Sequence, residues 1–312
     1  MKWEKFKGKP LPAQEAYGFI LVSAILWGSI GIFYRKLSSL GFAPMEIVQI
    51  RVTVAAAGMA VCFMATDRKK LRISIKDFPW FAGTGIGSLI FFNWCYFHAM
   101  EESSLAVAAV LLYTAPMFVF FLSVLFLGER VTKRKVSAIL VVFSGSALAS
   151  GLIGPGVLGA SGGGGKAGCP LSPAGLLYGL GAGFGYGLYS ILGKALLKRY
   201  GPETVSIYTF IFAAVGAALF APLGRLGERM AHIPSAWLPA LGIGIMCSML
   251  PFLLYTKGLK QVPASKASVF ASLEPVMAAA VGILAFGEMP DGGKFLGTAV
   301  TLGGIVLLEK EA

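Results

Sequence analysis

Residues 113–135 read YTAPMFVFFLSVLFLGERVTKRK, and residues 273–288 read LEPVMAAAVGILAFGE. Each stretch has a proline within an apolar run and a Gly-Glu pair that begins twelve residues later, and the two prolines are 159 residues apart. The same offset aligns further pairs of residues: Lys135 with Lys294, Gly145 with Gly304, Trp27 with Tyr186, and Gly28 with Gly187. Self-similarity at a fixed offset indicates an internal repeat, so we interpret the chain as two homologous halves.

The composition places these halves in a membrane. Of the 312 residues, 56% are hydrophobic and only 13% are charged, with a mean hydropathy of +0.75. A soluble domain has about 25% charged residues, so an ordinary soluble enzyme is excluded. Ten stretches approach or exceed the roughly 20 apolar residues that cross a bilayer: 17–36, 44–65, 79–99, 104–127, 135–153, 174–194, 203–222, 237–257, 263–286 and 293–309. Since these runs do not alternate apolar and polar residues, as barrel strands do, we predict an all-α integral membrane protein with ten transmembrane helices.

The repeat and the spans together predict the domain organisation. We expect an N-terminal tail (1–16), a first five-helix repeat (17–150), a glycine-rich loop (151–173) and a second five-helix repeat (174–309). Because five is odd, the second repeat enters the membrane upside down relative to the first. Inverted repeats are typical of secondary transporters, which bind substrate near mid-membrane between the repeats and work by alternating access. A duplicated bundle that transports nothing is the alternative.

Loop charges predict the orientation. With the N-terminus in the cytoplasm, 20 of the 27 Lys and Arg residues fall on the cytoplasmic side and six on the outer side. Basic residues concentrate in cytoplasmic loops, so we expect both termini to be cytoplasmic and the protein to lie in the cell (inner) membrane. The net charge of +12 is spread over all these loops. It therefore indicates topology and contact with the bilayer, and nucleic acid is not an expected partner; a homodimer is left open.

Four stretches of the sequence resemble a known family. The two Pro-to-Gly-Glu stretches, together with LWGSIGIFYRK (26–36) and IRVTVAAAGM (50–59), are similar to the paired EamA domains of the drug/metabolite transporter superfamily. The resemblance covers nearly the whole chain. It implies a ten-helix fold of two inverted five-helix repeats and a transporter of small metabolites, often an exporter of amino acids or related compounds. The second half departs from the pattern after Glu288, where Met-Pro-Asp follows.

Two charged residues lie deep inside predicted spans. Arg51 is about seven residues from the outer end of the second span, roughly 10 Å deep, and Glu274 is about eleven residues into the ninth span, roughly 16 Å deep. Charges at such depth are expensive and usually face a cavity or a partner. We interpret the two as a coupling group or a structural ion pair, with Glu274 also a candidate ligand for a substrate amine or a carrier of protons.

Further candidates combine helix-bending and cavity-lining roles. Pro116 and Pro275 each remove a helical hydrogen bond in mid-span and are candidate bending points. The predicted substrate site is lined by deep polar and aromatic residues: Trp27, Asn93, Tyr113, Tyr186 and Glu274. Ordinary helix packing is the alternative for each of them. Aromatic residues near span ends are usually interface anchors, and we assign four tyrosines mainly to that role: Tyr34, Tyr96, Tyr208 and Tyr255.

Motifs for other functions fail. The four cysteines have no metal-ligand spacing, the two histidines form no HExxH site, and Gly154–Gly159 matches a dinucleotide fingerprint only in a predicted loop. We therefore expect no cofactor, no metal and no enzymatic activity, and transport driven by a gradient. The predicted function is a secondary transporter that exports amino acids or related metabolites. The alternatives are a cationic drug exporter of the same superfamily, an integral-membrane enzyme and a channel.

Overall fold

The computed structural model of the chain describes residues 12–103, 105–149, 172–221, 223–287 and 292–309. Helices account for most of these residues, and no strand occurs among them. Ten helical segments lie where the ten apolar stretches were predicted. Their bounds are α1a Ala13–Gly28 and α1b Ile30–Ser39; α2 Pro44–Thr66; α3 Phe78–Ala82, Gly83–Ile90 and Phe91–Glu102; α4a Leu105–Leu112 and α4b Ala115–Leu127; α5 Lys133–Ala149; α6 Pro173–Leu196; α7 Pro202–Ala217; α8 Trp237–Leu241, Gly242–Met249 and Leu250–Gln261; α9a Ala264–Ala271 and α9b Glu274–Phe286; and α10 Gly292–Glu309.

Five stretches of helix are long and apolar enough to cross a membrane: Gln14–Ser39, Pro44–Thr66, Val107–Leu127, Pro234–Gln261 and Ala264–Phe286. They belong to α1, α2, α4, α8 and α9. Shorter apolar helices occur at Pro202–Ala217 and Phe295–Leu308. The all-helical membrane fold is thus confirmed, and crossing by all ten segments stays a prediction. Most of the predicted tail and loop, residues 1–11 and 150–171, lies outside the described residues, and so does Glu288.

The two halves repeat the same helix irregularities. The middle of α3 (Gly83–Ile90) and the middle of α8 (Gly242–Met249) are both wound as π-helix, at an offset of 159 residues. Both α4 and α9 break at the same relative position, and both α4b and α9b end at a left-handed glycine, Gly128 (φ 69°) and Gly287 (φ 64°). A positive φ favours glycine because it has no Cβ. This explains the glycine of both Gly-Glu pairs.

The halves interlock instead of standing side by side. Segment α1 packs against α8 and α9, α6 packs against α3 and α4, α2 packs against α7 and α8, and α5 packs against α10. Glycines permit the closest approaches: a Cβ on Gly28 would lie 2.9 Å from the carbonyl oxygen of Glu274, and one on Gly187 would lie 3.2 Å from that of Ala115. The two contacts are equivalent under the repeat offset, so they relate α1 to α9 as α6 to α4.

One break was not predicted. The first span was expected to run unbroken from 17 to 36, but α1 is interrupted at Ser29. The Ser29 hydroxyl donates a hydrogen bond of 2.7 Å to the carbonyl oxygen of Leu26 and lies 3.5 Å from the sulfur of Cys247. A serine side chain that bonds to nearby backbone competes with the helical ladder, which accounts for the bend.

Ionic contacts mark the two ends of the bundle. At one end, Arg229 of the short helix Leu223–His232 binds both carboxylate oxygens of Glu46, at 2.7 and 2.6 Å. At the other end, Glu129 follows α4b, and Arg199 pairs with Asp77 at 2.7 Å. We call these the Glu46 end and the Glu129 end. The loop charges predict that the Glu129 end is cytoplasmic.

Candidate functional site

The functional geometry starts at the breaks in α4 and α9. Each second half-helix begins one residue before a proline, Pro116 in α4b and Pro275 in α9b. A proline has no N–H to donate, so the carbonyls four residues earlier, of Leu112 and Ala271, lose their helical donors. Backbone freed in this way inside a bundle is a common feature of transporter sites.

A small cavity lies at these breaks. About 40 Å³ is open to the centres of water-sized molecules, which is room for roughly three waters. Both repeats contribute to the wall, which is mostly apolar and aromatic. It consists of Trp27, Leu89, Leu112, Tyr113, Ala115, Pro116, Val119, Tyr186, Gly187, Tyr189, Ser190, Phe252, Tyr255, Ser268, Ala271, Ser272, Glu274 and Pro275.

An aromatic cluster forms one wall of the cavity. The ring of Trp27 meets Phe252 edge-on at a centroid distance of 5.1 Å and lies 5.3 Å from Tyr255. Tyr186, which is the repeat counterpart of Trp27, is 6.5 Å away from it. The two counterparts therefore meet across the interface of the halves. Aromatic faces at such distances stabilise one another and attract cations.

Glu274 brings a carboxyl group to this wall. It is the first residue of α9b and is half-buried, and its Oε2 accepts a hydrogen bond of 2.8 Å from the hydroxyl of Tyr186. Of the five predicted site residues, the structure thus brings four to one cavity: Trp27, Tyr113, Tyr186 and Glu274. The predicted bending prolines line it as well.

Asn93 and Arg51 lie elsewhere. Asn93 is buried, but its amide donates to the carbonyl of Leu89 at 2.7 Å, within its own helix, and it is not among the cavity-lining residues. Arg51 is half-buried on α2 and also outside the lining. It interacts electrostatically with Glu274 and Tyr186, yet no ion pair joins Arg51 to Glu274 in the part of the chain that the structure describes. Its Nε is buried without a hydrogen-bond partner there.

Several lining residues were missed. Tyr255 was assigned as an interface anchor, which is wrong, because it is only 3% exposed, lines the cavity and hydrogen-bonds to Ser190 at 2.7 Å. Ser268 and Ser272 also line it. Their spacing of four residues places these two serines on one side of the helix just before the break, and this was a signal available in the sequence.

The cavity is closed towards the Glu129 end. There, α9a packs against α4b and α6, whereas the symmetry-related pair towards the Glu46 end, α4a and α9b, makes no comparable contact among the described residues. Next to the cavity, the hydroxyl of Tyr189 bonds to Thr256 at 2.6 Å. Corresponding segments of the two repeats are therefore packed unequally at the two ends of the bundle.

Glu129 holds this closed end together. Its Oε1 accepts hydrogen bonds from the backbone N–H groups of Ala264 (2.6 Å) and Ser265 (3.4 Å), the first residues of α9a. Its Oε2 accepts from the Ser265 hydroxyl and lies 3.4 Å from the ammonium of Lys135. A carboxylate at a helix N-terminus satisfies free donors and favours the helix dipole. The Gly-Glu motif of the first repeat thus caps a helix of the second.

Lys194 caps the C-terminal end of the neighbouring helix, α8. Its ammonium donates to the carbonyls of Leu259 (2.6 Å) and Val262 (2.7 Å), at the C-terminal end of α8. The last carbonyls of a helix lack helical donors. Lys194 therefore ties α6 to α8 at the Glu129 end.

Within the described residues, no group of three or more His, Cys, Asp or Glu side chains could hold a metal ion. The cavity lining itself offers aromatic rings, hydroxyls and one carboxyl group.

A sequence model of the EamA-like transporter family matches residues 14–151 and 173–309. An uncharacterized transporter of Archaeoglobus fulgidus is 28% identical, covering 94% of this chain and 95% of its own length. The uncharacterized transporter YxxF of Bacillus subtilis is 25% identical (92% and 87%), and the uncharacterized inner membrane transporter YicL of Salmonella typhimurium is 23% identical (94% and 94%). A crystal structure of a protein 21% identical aligns with a TM-score of 0.76 over 96% of this chain and 98% of that chain, which shows a shared fold.

Proposed function

The chain belongs to the EamA-like transporter family, and on that premise we propose that it exports amino acids or related small metabolites across the cytoplasmic membrane by alternating access. Membership of a transporter family makes it a membrane transporter of small molecules. The substrate, the direction and the mechanism are the proposed part.

The cavity at the two broken helices carries this proposal. Pro116 and Pro275 interrupt corresponding helices, one in each repeat, and the cavity lies at the meeting point of the two breaks. Paired interruptions at the interface of inverted repeats are the strongest general indication of a transporter's substrate site. A cavity with aromatic walls, a few hydroxyls and one carboxyl group suits a small molecule that has an apolar part and an amine.

Unequal packing of the two ends supports alternating access. The contacts of α9a with α4b and α6 close the cavity towards the Glu129 end, and the equivalent contacts are absent between α4a and α9b among the described residues. With the orientation predicted from loop charges, this conformation faces outwards. If α4a packed against α9b while α9a separated from α4b, the cavity would close at the Glu46 end and open at the Glu129 end. That conformation would face inwards, which is the state from which an exporter loads its substrate.

Flux through purified protein tests the proposal. Proteoliposomes loaded with an unlabelled amino acid should take up the same labelled amino acid by counterflow, with saturation. Tyr186→Phe and Tyr178→Phe form a matched pair on α6: the first hydroxyl bonds to Glu274, while Tyr178 packs against Trp94 and His98 away from the cavity. Counterflow should fall only in the first variant. Absence of flux across a broad metabolite panel would contradict the proposal.

A cationic drug exporter is the second candidate. A carboxyl group beside the rings of Trp27 and Tyr186 is the arrangement that favours it. The positive charge of Arg51, which interacts electrostatically with Glu274, disfavours a substrate with a net positive charge. Drug-resistance growth assays and uptake of a lipophilic cation by the same proteoliposomes separate the two candidates.

A further inference from the structure

We propose that a groove at the Glu129 end binds the phosphate headgroup of an anionic phospholipid. The groove lies between the start of α3 and the end of α6, and its lining consists of Asp77, Trp80, Ala195, Leu196, Lys198 and Arg199. It shares no lining residue with the central cavity. The inference goes beyond the transport function, and it rests on the orientation predicted from loop charges, which places this end at the cytoplasmic leaflet.

The groove has the size and the walls of a lipid site at the membrane surface. About 200 Å³ is open to the centres of water-sized molecules, which is room for roughly fifteen waters, and a phosphate group with its glycerol is smaller than that. Trp80 in the lining is 48% exposed, and its neighbour Phe78 is exposed as well. Tryptophans near the ends of spans lie at the depth of the lipid headgroups. The groove is therefore at the depth where a headgroup phosphate lies.

Arg199 is held in position by the protein itself. The carboxylate of Asp77, a buried residue, accepts hydrogen bonds from Nη1 of Arg199 at 2.7 Å and from the hydroxyl of Tyr200 at 2.6 Å. The Tyr200 hydroxyl in turn accepts from the backbone N–H of Ser74 at 3.1 Å. The Arg199 side chain is 70% exposed, and among the described residues its other nitrogens have no hydrogen-bond partner. A guanidinium fixed in this way keeps donors whose fork geometry matches a phosphate.

Lys198 gives the groove a surplus of positive charge. It is exposed and takes part in no ion pair within the part of the chain that the structure describes. Since Arg199 already balances Asp77, the charge of Lys198 is left over, and the exposed Lys76 adds another next to Asp77 in sequence. Basic pockets between membrane helices on the cytoplasmic side bind anionic lipid headgroups.

The other repeat builds the equivalent corner without these groups. At the offset of 159, the counterparts of Lys198, Arg199, Asp77 and Trp80 are Ser39, Leu40, Ala236 and Pro239. The fold therefore does not require charge at this corner. Anionic lipids give the cytoplasmic leaflet its negative surface potential. Basic residues confined to the end that is predicted to be cytoplasmic thus complement the charge of that leaflet.

Lipid titrations test the inference. The full-length protein in detergent micelles is titrated with phosphatidylglycerol, or with phosphatidylcholine of the same acyl chains, and native mass spectrometry gives the apparent Kd of the first bound lipid. Each basic residue near an anionic surface contributes a factor of about five. With two basic residues in the groove, phosphatidylglycerol should bind about 10- to 25-fold tighter than phosphatidylcholine.

Matched variants assign the binding to the groove. Lys198→Ser installs the residue that the other repeat carries, and it should raise the Kd of phosphatidylglycerol about fivefold while that of phosphatidylcholine stays unchanged. The control Lys133→Ser removes an exposed lysine at the same end, at the start of α5 and outside the groove, and should change neither Kd more than about twofold. Arg199→Gln should weaken phosphatidylglycerol binding as Lys198→Ser does. Arg199→Lys keeps the charge, so it should retain most of the binding and controls for folding.

Three results would overturn the inference. The first is equal binding of the two lipids, and the second is an equal effect of Lys198→Ser and Lys133→Ser. The third is displacement of phosphatidylglycerol by soluble glycerol 3-phosphate at a concentration near the Kd of the lipid, since that would make a free phosphate compound the ligand. Amino-acid counterflow in phosphatidylcholine proteoliposomes tests the transport function separately. A negative lipid result therefore leaves that function standing, and absence of flux leaves the lipid site standing.

Discussion

Removal of the Glu129 carboxylate is predicted to open the end of the bundle that this residue closes. Glu129 accepts hydrogen bonds from two backbone N–H groups and one hydroxyl at the start of α9a, and it pairs with Lys135. The two charged side chains are only 11% and 9% exposed. In Glu129→Ala, these donors lose their acceptor and Lys135 keeps only the carbonyl of Arg130, at 3.2 Å.

The magnitude follows from these contacts. Loss of a capping acceptor costs about 0.5–2 kcal/mol, and breaking a buried ion pair costs about 3–5 kcal/mol when the remaining charge stays buried. Lys135 keeps the carbonyl of Arg130 as a partner, so we expect about 2 kcal/mol in total. The proposed open conformation would separate α9a from Glu129 and would lose these contacts. The ratio of open to closed molecules should therefore rise about 30-fold.

Chemical labelling measures this shift. In a cysteine-free background, Ser268→Cys places a thiol at a residue that lines the cavity and is 8% exposed. A membrane-impermeant maleimide added at the Glu129 end should label it about 30-fold faster after Glu129→Ala, provided that opening is fast compared with labelling. The further change Lys135→Met should recover part of the closed population, since it removes the unpaired charge.

The control is another carboxylate. Glu101 pairs with His98 on the surface and is 72% exposed, so Glu101→Ala should change labelling little, because exposed pairs contribute about 0–1 kcal/mol. If Glu129→Ala labels within threefold of this control, Glu129 does not hold the end closed and the reasoning is refuted.

Three further outcomes are expected. Gly28→Ala should lower the stability of the protein in detergent by about 1–3 kcal/mol, because the new Cβ would lie 2.5 Å from that of Met277. In the control Gly18→Ala, the new Cβ has nothing within 4 Å, so the change should be neutral or slightly stabilising. Thermal unfolding of the two variants measures the difference in stability. Tyr186→Phe removes the donor to Glu274 and should raise the KM of counterflow about 5- to 10-fold, and an unchanged KM would exclude that hydrogen bond from substrate binding. If Glu274 couples transport to protons, Glu274→Gln should abolish accumulation driven by a pH gradient while counterflow persists at saturating substrate, and persistent pH-driven accumulation would contradict the coupling.

The helices were predictable because crossing a membrane leaves a local signal. Runs of apolar residues located all ten helical segments, and the repeat offset located the breaks at Pro116 and Pro275, since a missing N–H is a property of one residue. The π-helical middles of α3 and α8 and the break at Ser29 were not predicted. They depend on which helix packs alongside, as the approach of Ser29 to Cys247 shows, and such contacts between distant residues leave no periodic pattern in one sequence.

The site was predictable where the repeat pairs residues across the interface of the halves. Trp27 and Tyr186 are equivalent at an offset of 159, and the structure places their rings 6.5 Å apart, so residues near the symmetry axis meet their own counterparts. Asn93 instead bonds within its own helix, although its counterpart at the same offset, Phe252, lines the cavity. Tyr255 was misassigned because nearness to a span end was taken as nearness to the bilayer surface, although its side chain lies against Trp27.

The positions at which the two repeats carry different residues are the ones that indicate function. The symmetric pairs build the scaffold: Pro116 with Pro275 bends the helices, Gly28 with Gly187 brings them together, and either half could supply these features. A substrate with an amine at one end is itself asymmetric, and a perfectly symmetric site would offer that amine either two carboxyl groups or none. Glu274 opposite Ala115 removes that symmetry where the halves meet. Exchanging the pair in Ala115→Glu/Glu274→Ala should therefore reverse the bound orientation of phenylalanine or abolish its binding, and unchanged affinity in that variant would show that the carboxyl group acts only through the scaffold.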